Sequence, residues 1–223
     1  MGSHSSILNQ DIATKFPWAA PLSSYGETIL TNLGWATHAA RRATTENGQL
    51  DSILFTSPAT AQGVTTIAGT TAVVAATDPF CKILFIDCAA SAPARALFQG
   101  IPHADPAPIL LGRQIEQTAL SSLDYLALGD ARHLRSTSRR RLAGEQLWDL
   151  FDLIVIDYPV EPVRGWLEHI AHLVSAGLIV AGRDSSKPKV NQLAGQLNKD
   201  GVSNVGVIFN QDGPRRFPSG LDS

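Results

Sequence analysis

Apolar runs of strand length alternate along this chain with longer stretches of helical spacing, a pattern that predicts βαβ crossovers and a parallel sheet. The runs Ser52–Thr56 (SILFT), Lys82–Asp87 (KILFID), Leu153–Asp157 (LIVID) and Leu178–Ala181 (LIVA) are apolar on both faces, as central parallel strands are. Val205–Phe209 (VGVIF) reads as a further strand and Leu123–Leu128 as a weaker one. Helices are predicted over Thr65–Ala76, Pro93–Gln99, Arg139–Leu150, Pro162–Val174 and Lys187–Lys199. Several open with proline in the first turn, where the missing N–H costs nothing. Another is predicted over Ser23–Arg41, with Ile29, Leu33 and Ala36 or Thr37 on one side and an opposite face available to a partner.

At 223 residues and 44% hydrophobic content, the chain suits one α/β domain and excludes a disordered tail protein or a disulfide-stapled miniprotein. We expect a single domain over 23–210, an N-terminal extension over 1–22, and a flexible tail over 211–223 rich in Gly, Pro and Ser. The opening MGSHSS partly resembles a cloning remnant, so His4 is given no metal role. With 17% charged residues and a net charge of −2, the surface offers no general basic field, and no nucleic-acid partner is expected. Residues 52–77 carry no charge, but Pro58, Gln62, Gly63 and many Ser and Thr residues interrupt the stretch, which argues against a membrane span. Cys81 and Cys88 lack metal or disulfide spacing, and the first residues lack a charged start followed by an apolar core. A cytoplasmic protein with reduced thiols is expected, brought to the inner membrane only by a partner.

Ligands of open parallel sheets bind beyond the carboxyl ends of the strands. The first strand is followed by a small-residue loop, Ser57–Thr66 (SPATAQGVTT), that feeds a helix start; the second ends at Asp87 and a later one at Asp157. A phosphate-binding loop before a helix, with two strand-end carboxylates to hold Mg²⁺ and order water, is the layout of a P-loop NTPase.

The order and spacing of these pieces resemble the bacterial tyrosine kinases of exopolysaccharide synthesis, relatives of the ParA/MinD ATPases. LTNLGWA at Leu30–Ala36 resembles that family's RTNLxFA, and ILFTSPATAQGVTTIA at Ile53–Ala68 its ILVTSxxPGEGKSTTA. ILFIDCAASAP at Ile83–Pro93 is similar to LLIDADLRRP, FDLIVIDYPV at Phe151–Val160 to FDxVIIDTPP, and Gly177–Asn210 to the family's closing segment. The resemblance spans Ser23–Asn210. It implies an α/β fold with a mostly parallel sheet flanked by helices on both faces, a three-layer sandwich of the MinD-like kind. It also implies a nucleotide site at Ala61, Gln62, Gly63, Val64, Thr65, Thr66 and Asn210, with Asp87 and Asp157 as Mg²⁺ ligands once nucleotide is bound. ATP or ADP with Mg²⁺ is the cofactor so implied, and the residues commit to none.

Several positions depart from the family pattern. The phosphate-loop lysine falls on Val64, which offers neither charge nor hydrogen bond to a β/γ-phosphate, and a loop glycine falls on Ala61. The family's second strand-end acid falls on Ala89 and its arginine on Ser91. Losing charge stabilisation and a general base, each commonly worth about 10²–10⁴-fold, makes efficient phosphoryl transfer improbable, and no catalytic residue is assigned. The tail carries no tyrosine, so it holds no acceptor of the family's kind. The ExxRxxR pattern that joins the family's subunits into rings falls on Ser24, Glu27 and Leu30, without its charge pairing.

Plainer roles stand beside these. Gly63, Thr65 and Thr66 also suit a turn and helix cap without ligand, Asp87 and Asp157 also suit turn capping, and Asn210 also suits a turn. Arg132, Arg135, Arg139, Arg140 and Arg141, in RHLRSTSRRR, suit either a solvated helix start or a site for phosphate, anionic lipid or an acidic partner. Trp18, Trp35, Trp148 and Trp166 read as core or interface fillers, and His169 and His172 lack a third metal ligand. The reading favoured is a catalytically impaired pseudokinase that works by binding in exopolysaccharide synthesis or export. Its expected partner is the cytoplasmic part of a membrane polysaccharide co-polymerase or a kinase-like subunit. The alternatives are a divergent active ATPase or tyrosine kinase using another cation such as Lys82, Lys187 or the arginine run, and a ParA/MinD-like positioning ATPase.

Overall fold

The computed structural model of the chain describes residues 12, 14–35, 51–88, 97–98, 109–110, 113–127, 150–158, 171, 174–202 and 204–210. In chain order its elements are α1 (Ser23–Asn32), β1 (Ser52–Thr56), α2 (Val64–Ala75), β2 (Ile83–Asp87), the short strands β3 (Ile109–Leu110), β4 (Arg113–Gln114) and β5 (Glu116–Gln117), then β6 (Leu123–Ala127), β7 (Leu153–Asp157), β8 (Ala176–Gly182), α3 (Lys187–Asp200) and β9 (Val205–Asn210). The expected helices over 93–99, 139–150 and 162–174 and the tail over 211–223 lie outside the described residues, apart from 97–98, 150, 171 and 174.

Seven strands form one sheet in the order β5-β6-β2-β7-β1-β8-β9. Every neighbouring pair is parallel except β5 with β6 at one edge. Side chains alternate between two cores. Ile53, Phe55, Phe85, Val155 and Val180 face α2 and α1, while Leu54, Leu84, Ile154, Ile156 and Ile179 face Val190 and Leu197 of α3. The result is the three-layer α/β sandwich, with helices on both faces of the sheet.

The segment without charge has a physical cause in this arrangement. β1 lies inside the sheet, and α2 is buried throughout Ile67–Ala75 between the sheet and α1. A helix apolar on all sides is stable only where it is covered all round. Gly26 of α1 makes the close crossing with α2 feasible, since a Cβ there would stand 2.9 Å from Val74 Cγ2.

α1 stops nine residues short of the expected Arg41. Gly34 has φ +76°, its N–H bonds the Thr31 carbonyl at 3.0 Å, and the Trp35 N–H reaches back to the Leu30 carbonyl at 2.8 Å. Those two bonds close a Schellman end, which propagation of the apolar spacing ignores. Within α1, Ser24 and Glu27 are exposed but Leu30 is 5% exposed and belongs to the core. Ahead of α1, Ile12, Phe16 and Ala19 are buried in the same core, and Trp18 meets Phe98 edge to face at 5.8 Å. Trp18 and Trp35 pack against this core, whereas Trp148, Trp166, His169 and His172 lie outside the described residues.

Candidate functional site

The sheet order sets three sequence-distant strand ends side by side. β7 lies between β1 and β2, so the loop after β1, Asp157 at the end of β7 and Asp87 at the end of β2 share one edge, and Asp87 and Asp157 are opposite each other in the β2–β7 register.

The loop has a backbone shape that suits phosphate but lacks the residues of the resembled motif. Ser57 Oγ donates to the Ala59 carbonyl just after β1. Ala61 has φ +57° and Gly63 φ +82°, so the chain twice enters the left-handed region before α2 begins at Val64. For Ala61 this conformation costs about 1 kcal/mol. Gly63 is the N-cap of α2 and has no side chain to satisfy the first-turn amides of Val64, Thr65 and Thr66, which face the ligand side of the helix dipole. Asn210, at the end of β9, donates from Nδ2 to the Gln62 carbonyl at 2.9 Å. A Cβ at position 63 would stand 2.7 Å from the same Nδ2, so Gly63 is required both by its φ and by this close approach. The Asn210 side-chain amide is therefore a clamp on the loop.

Val64 is half-buried and packs against the core shared by α1 and α2. The position at which the kinases resembled in sequence carry a cation is thus apolar in contact as well as in kind. Lys82, a candidate replacement, stands at the opposite edge of the sheet. Its backbone N–H donates to Asp152 Oδ2 at 2.7 Å, and its Nζ lies 5.9 Å from the centre of the Phe151 ring. The length of β2 puts it roughly 15 Å from the strand end that carries Asp87. Lys187, at the start of α3, does lie on the ligand edge and is exposed. Ala89, Ser91 and the arginines at 132, 135, 139, 140 and 141 lie outside the described residues.

The two acids are buried differently. Asp87 is 0% exposed and accepts a hydrogen bond from Tyr125 Oη at 3.0 Å. Asp157 is 4% exposed, and its Oδ2 has no hydrogen-bond partner among the described residues. Burial pushes the Asp157 carboxyl up to about 7; a hydrogen bond from the Thr65 side chain pulls the other way, and the charge of Asp87 adds to the rise. Burial, with Asp157 and Asp87 beside it, also holds the Cys88 thiol well above its ordinary range, so it is no nucleophile.

These residues fit a nucleotide only in part. The amides of 64–66 suit phosphate oxygens. The Thr65 hydroxyl, the orphaned Asp157 oxygen and Asp87 are hard oxygen donors that suit Mg²⁺. Among the described residues no group of three His, Cys, Asp or Glu side chains is set to hold a metal alone, so the ion needs phosphate oxygens to complete its shell. The loop supplies no cation for charge developing on a transferred phosphoryl group.

Sequence reasoning missed Tyr125 as the partner of Asp87. It also missed Ser185 and Gly182, which meet the Gln62 side chain: Ser185 Oγ donates to Gln62 Oε1 at 3.2 Å, across 123 residues. No local spacing marks such a contact. Among the described residues, no helix is long and apolar enough to cross a membrane.

No protein-family model matches the chain, and no curated protein matches its sequence. Solved structures do. The VpsO kinase domain is 22% identical with a TM-score of 0.60, over 91% of this chain and 98% of that one. The kinase domain of the Escherichia coli tyrosine kinase ETK is 22% identical with a TM-score of 0.57, over 77% and 71%. MinD in the MinC:MinD cell division complex of Aquifex aeolicus belongs to a structure that is 20% identical with a TM-score of 0.53, over 72% and 69%. At these identities the likeness is one of fold: the chain adopts the α/β fold that kinase domains of bacterial tyrosine kinases share with a ParA-family ATPase and a MinC:MinD complex chain.

Proposed function

We propose that the protein is a pseudokinase of exopolysaccharide synthesis or export, which binds ADP or ATP with Mg²⁺ at the degenerate loop, does not turn it over efficiently, and acts by binding a partner. The observation that carries this reading is Val64, seated against the core at the position where phosphoryl transfer needs a cation. The loop amides remain open to phosphate, while the charge that would favour the transition state over the ground state is missing. Such a site binds without accelerating. Ala89, at the place of the second strand-end acid, removes the general base as well.

The partner is the cytoplasmic part of a membrane polysaccharide co-polymerase or a kinase-like subunit, and recruitment by it is what brings the protein to the inner membrane. Leu30 turned into the core supports a contact different from the charge-paired ring, because only two of its three positions, Ser24 and Glu27, are exposed. The arginine run at 132–141 supplies the charge that would meet an acidic segment of that partner. Calorimetry with Mg·ATP and Mg·ADP, paired with a phosphate-release assay, tests the reading. Binding without release supports it, and release at the rate of an ordinary kinase or ATPase makes the protein an enzyme.

A further inference from the structure

The Gln62 side chain does something that neither a phosphate cradle nor a turn requires. It leaves the loop and lies over the end of β8, where its Oε1 accepts from Ser185 Oγ at 3.2 Å. Ser185 Oγ in turn accepts from the Gly182 N–H at 3.0 Å, and Gln62 Nε2 donates to the Thr60 carbonyl at 3.3 Å. The three heavy atoms nearest to a Cβ built on Gly182 all belong to the Gln62 carboxamide, at 2.0, 3.0 and 3.5 Å. The carboxamide therefore fills the space that a side chain at 182 would take. With Asn210 Nδ2 given to the Gln62 carbonyl, Gln62 uses polar groups at the ends of both β8 and β9.

These strand ends are where the nucleoside of a loop-bound nucleotide has to lie. From the loop after β1, a ligand can extend over β7 and β2 or over β8 and β9. The first direction leads to two buried carboxyls, which suit a metal and phosphate. The second leads to the half-buried, uncharged hydrogen-bonding groups of Gln62, Ser185 and Asn210, which suit a neutral base, with the charged Arg183, Asp184 and Lys187 exposed at its rim. We propose that the Gln62 carboxamide is a latch that closes the base side of the loop, so that a nucleotide seats fully only after Gln62 leaves Gly182 and Ser185. The proposal rests on the reading of the loop as a nucleotide site. It adds that the site is held closed by the chain itself. One neutral hydrogen bond and its packing hold the latch, so its release should improve apparent affinity about three- to tenfold.

Two variants open the latch by different routes. Gln62→Ala deletes the carboxamide. Gly182→Ala evicts it, because the new methyl meets the far end of a flexible side chain and not the backbone. Each is titrated by calorimetry with Mg·ADP and with Mg·pyrophosphate, which has no base. The expected result is Mg·ADP binding about three- to tenfold tighter than wild type in both, with Mg·pyrophosphate unchanged, and a double variant no tighter than the better single one. Unchanged or weaker Mg·ADP binding overturns the latch, as does an equal gain for both ligands. If neither ligand binds any variant, the latch and the nucleotide reading fall together. Phosphate release by the wild type sinks the pseudokinase reading alone.

Discussion

On the proposed reading, the two halves of the ligand edge carry opposite parts of a phosphate site. On the loop side, Ala61, Gly63, Gln62 and Asn210 hold the backbone in a receiving shape through neutral hydrogen bonds, and Val64 brings no charge. On the acid side, Asp87 and Asp157 keep charge-bearing groups in place, but Asp157 is buried with an orphaned oxygen and a carboxyl pushed up to about 7. Shape without charge costs the protein little and permits weak binding. The Asp157 oxygen without a partner among the described residues costs stability, which a bound cation would offset. On the proposed reading, catalysis is limited by a missing cation and base, while the described loop and strand ends keep a receiving shape.

The largest effect tests whether charge is all that the loop side lacks. Val64→Lys is expected to tighten Mg·ATP binding about 10- to 100-fold, the worth of a charge-assisted contact. Val64→Lys with Ala89→Asp is expected to raise phosphate release about 10²-fold or more over either single variant. A lysine that changes neither would mean that the loop's shape has failed too.

The acid side is tested through stability. The native Asp157 carboxyl, with a pKa of about 7 against 3.8 in the unfolded chain, keeps a proton that the unfolded chain releases, so stability falls as pH rises from about 4 to about 7 and then levels. Asp157→Asn removes that burden. Denaturant titrations should show little gain at pH 4 and a gain on the order of 3 kcal/mol at pH 8. A variant that is less stable at pH 8 would show that the carboxylate has a cationic partner after all.

Smaller effects probe the loop backbone. Gly63→Ala meets both a positive φ and Asn210 Nδ2 at 2.7 Å, and is expected to cost about 1–3 kcal/mol in chemical denaturation. Ala61→Gly relieves a left-handed alanine at the expense of unfolded-state entropy, and its midpoint is expected to move by less than about 1 kcal/mol.

Much of the fold was legible because parallel strands buried on both faces announce themselves: β1 and β7 have the boundaries that their apolar runs predict and β2 differs by one residue, while the half-exposed edge strand β9 also differs by one. The end of α1 was not legible from spacing, because the Schellman bonds at Gly34 stop a helix whose apolar periodicity continues. The site was legible where it depends on residues that close a strand or open a helix, as at Asp87, Asp157 and Gly63. It was illegible where it depends on contacts between distant segments, namely Tyr125 with Asp87 and Gln62 with Ser185. The absence of charge over 52–77 is explained mostly by the burial of β1 and α2. Val64 alone, at the helix start, still carries the argument about catalysis.

The central claim is that the loop binds nucleotide and does not turn it over. Its most direct test is one experiment on the wild-type protein, following Mg·ATP binding by calorimetry and phosphate release in the same sample. The account predicts saturable binding of Mg·ATP with release far slower than that of an ordinary kinase or ATPase, and stoichiometric binding accompanied by release at such a rate would contradict it.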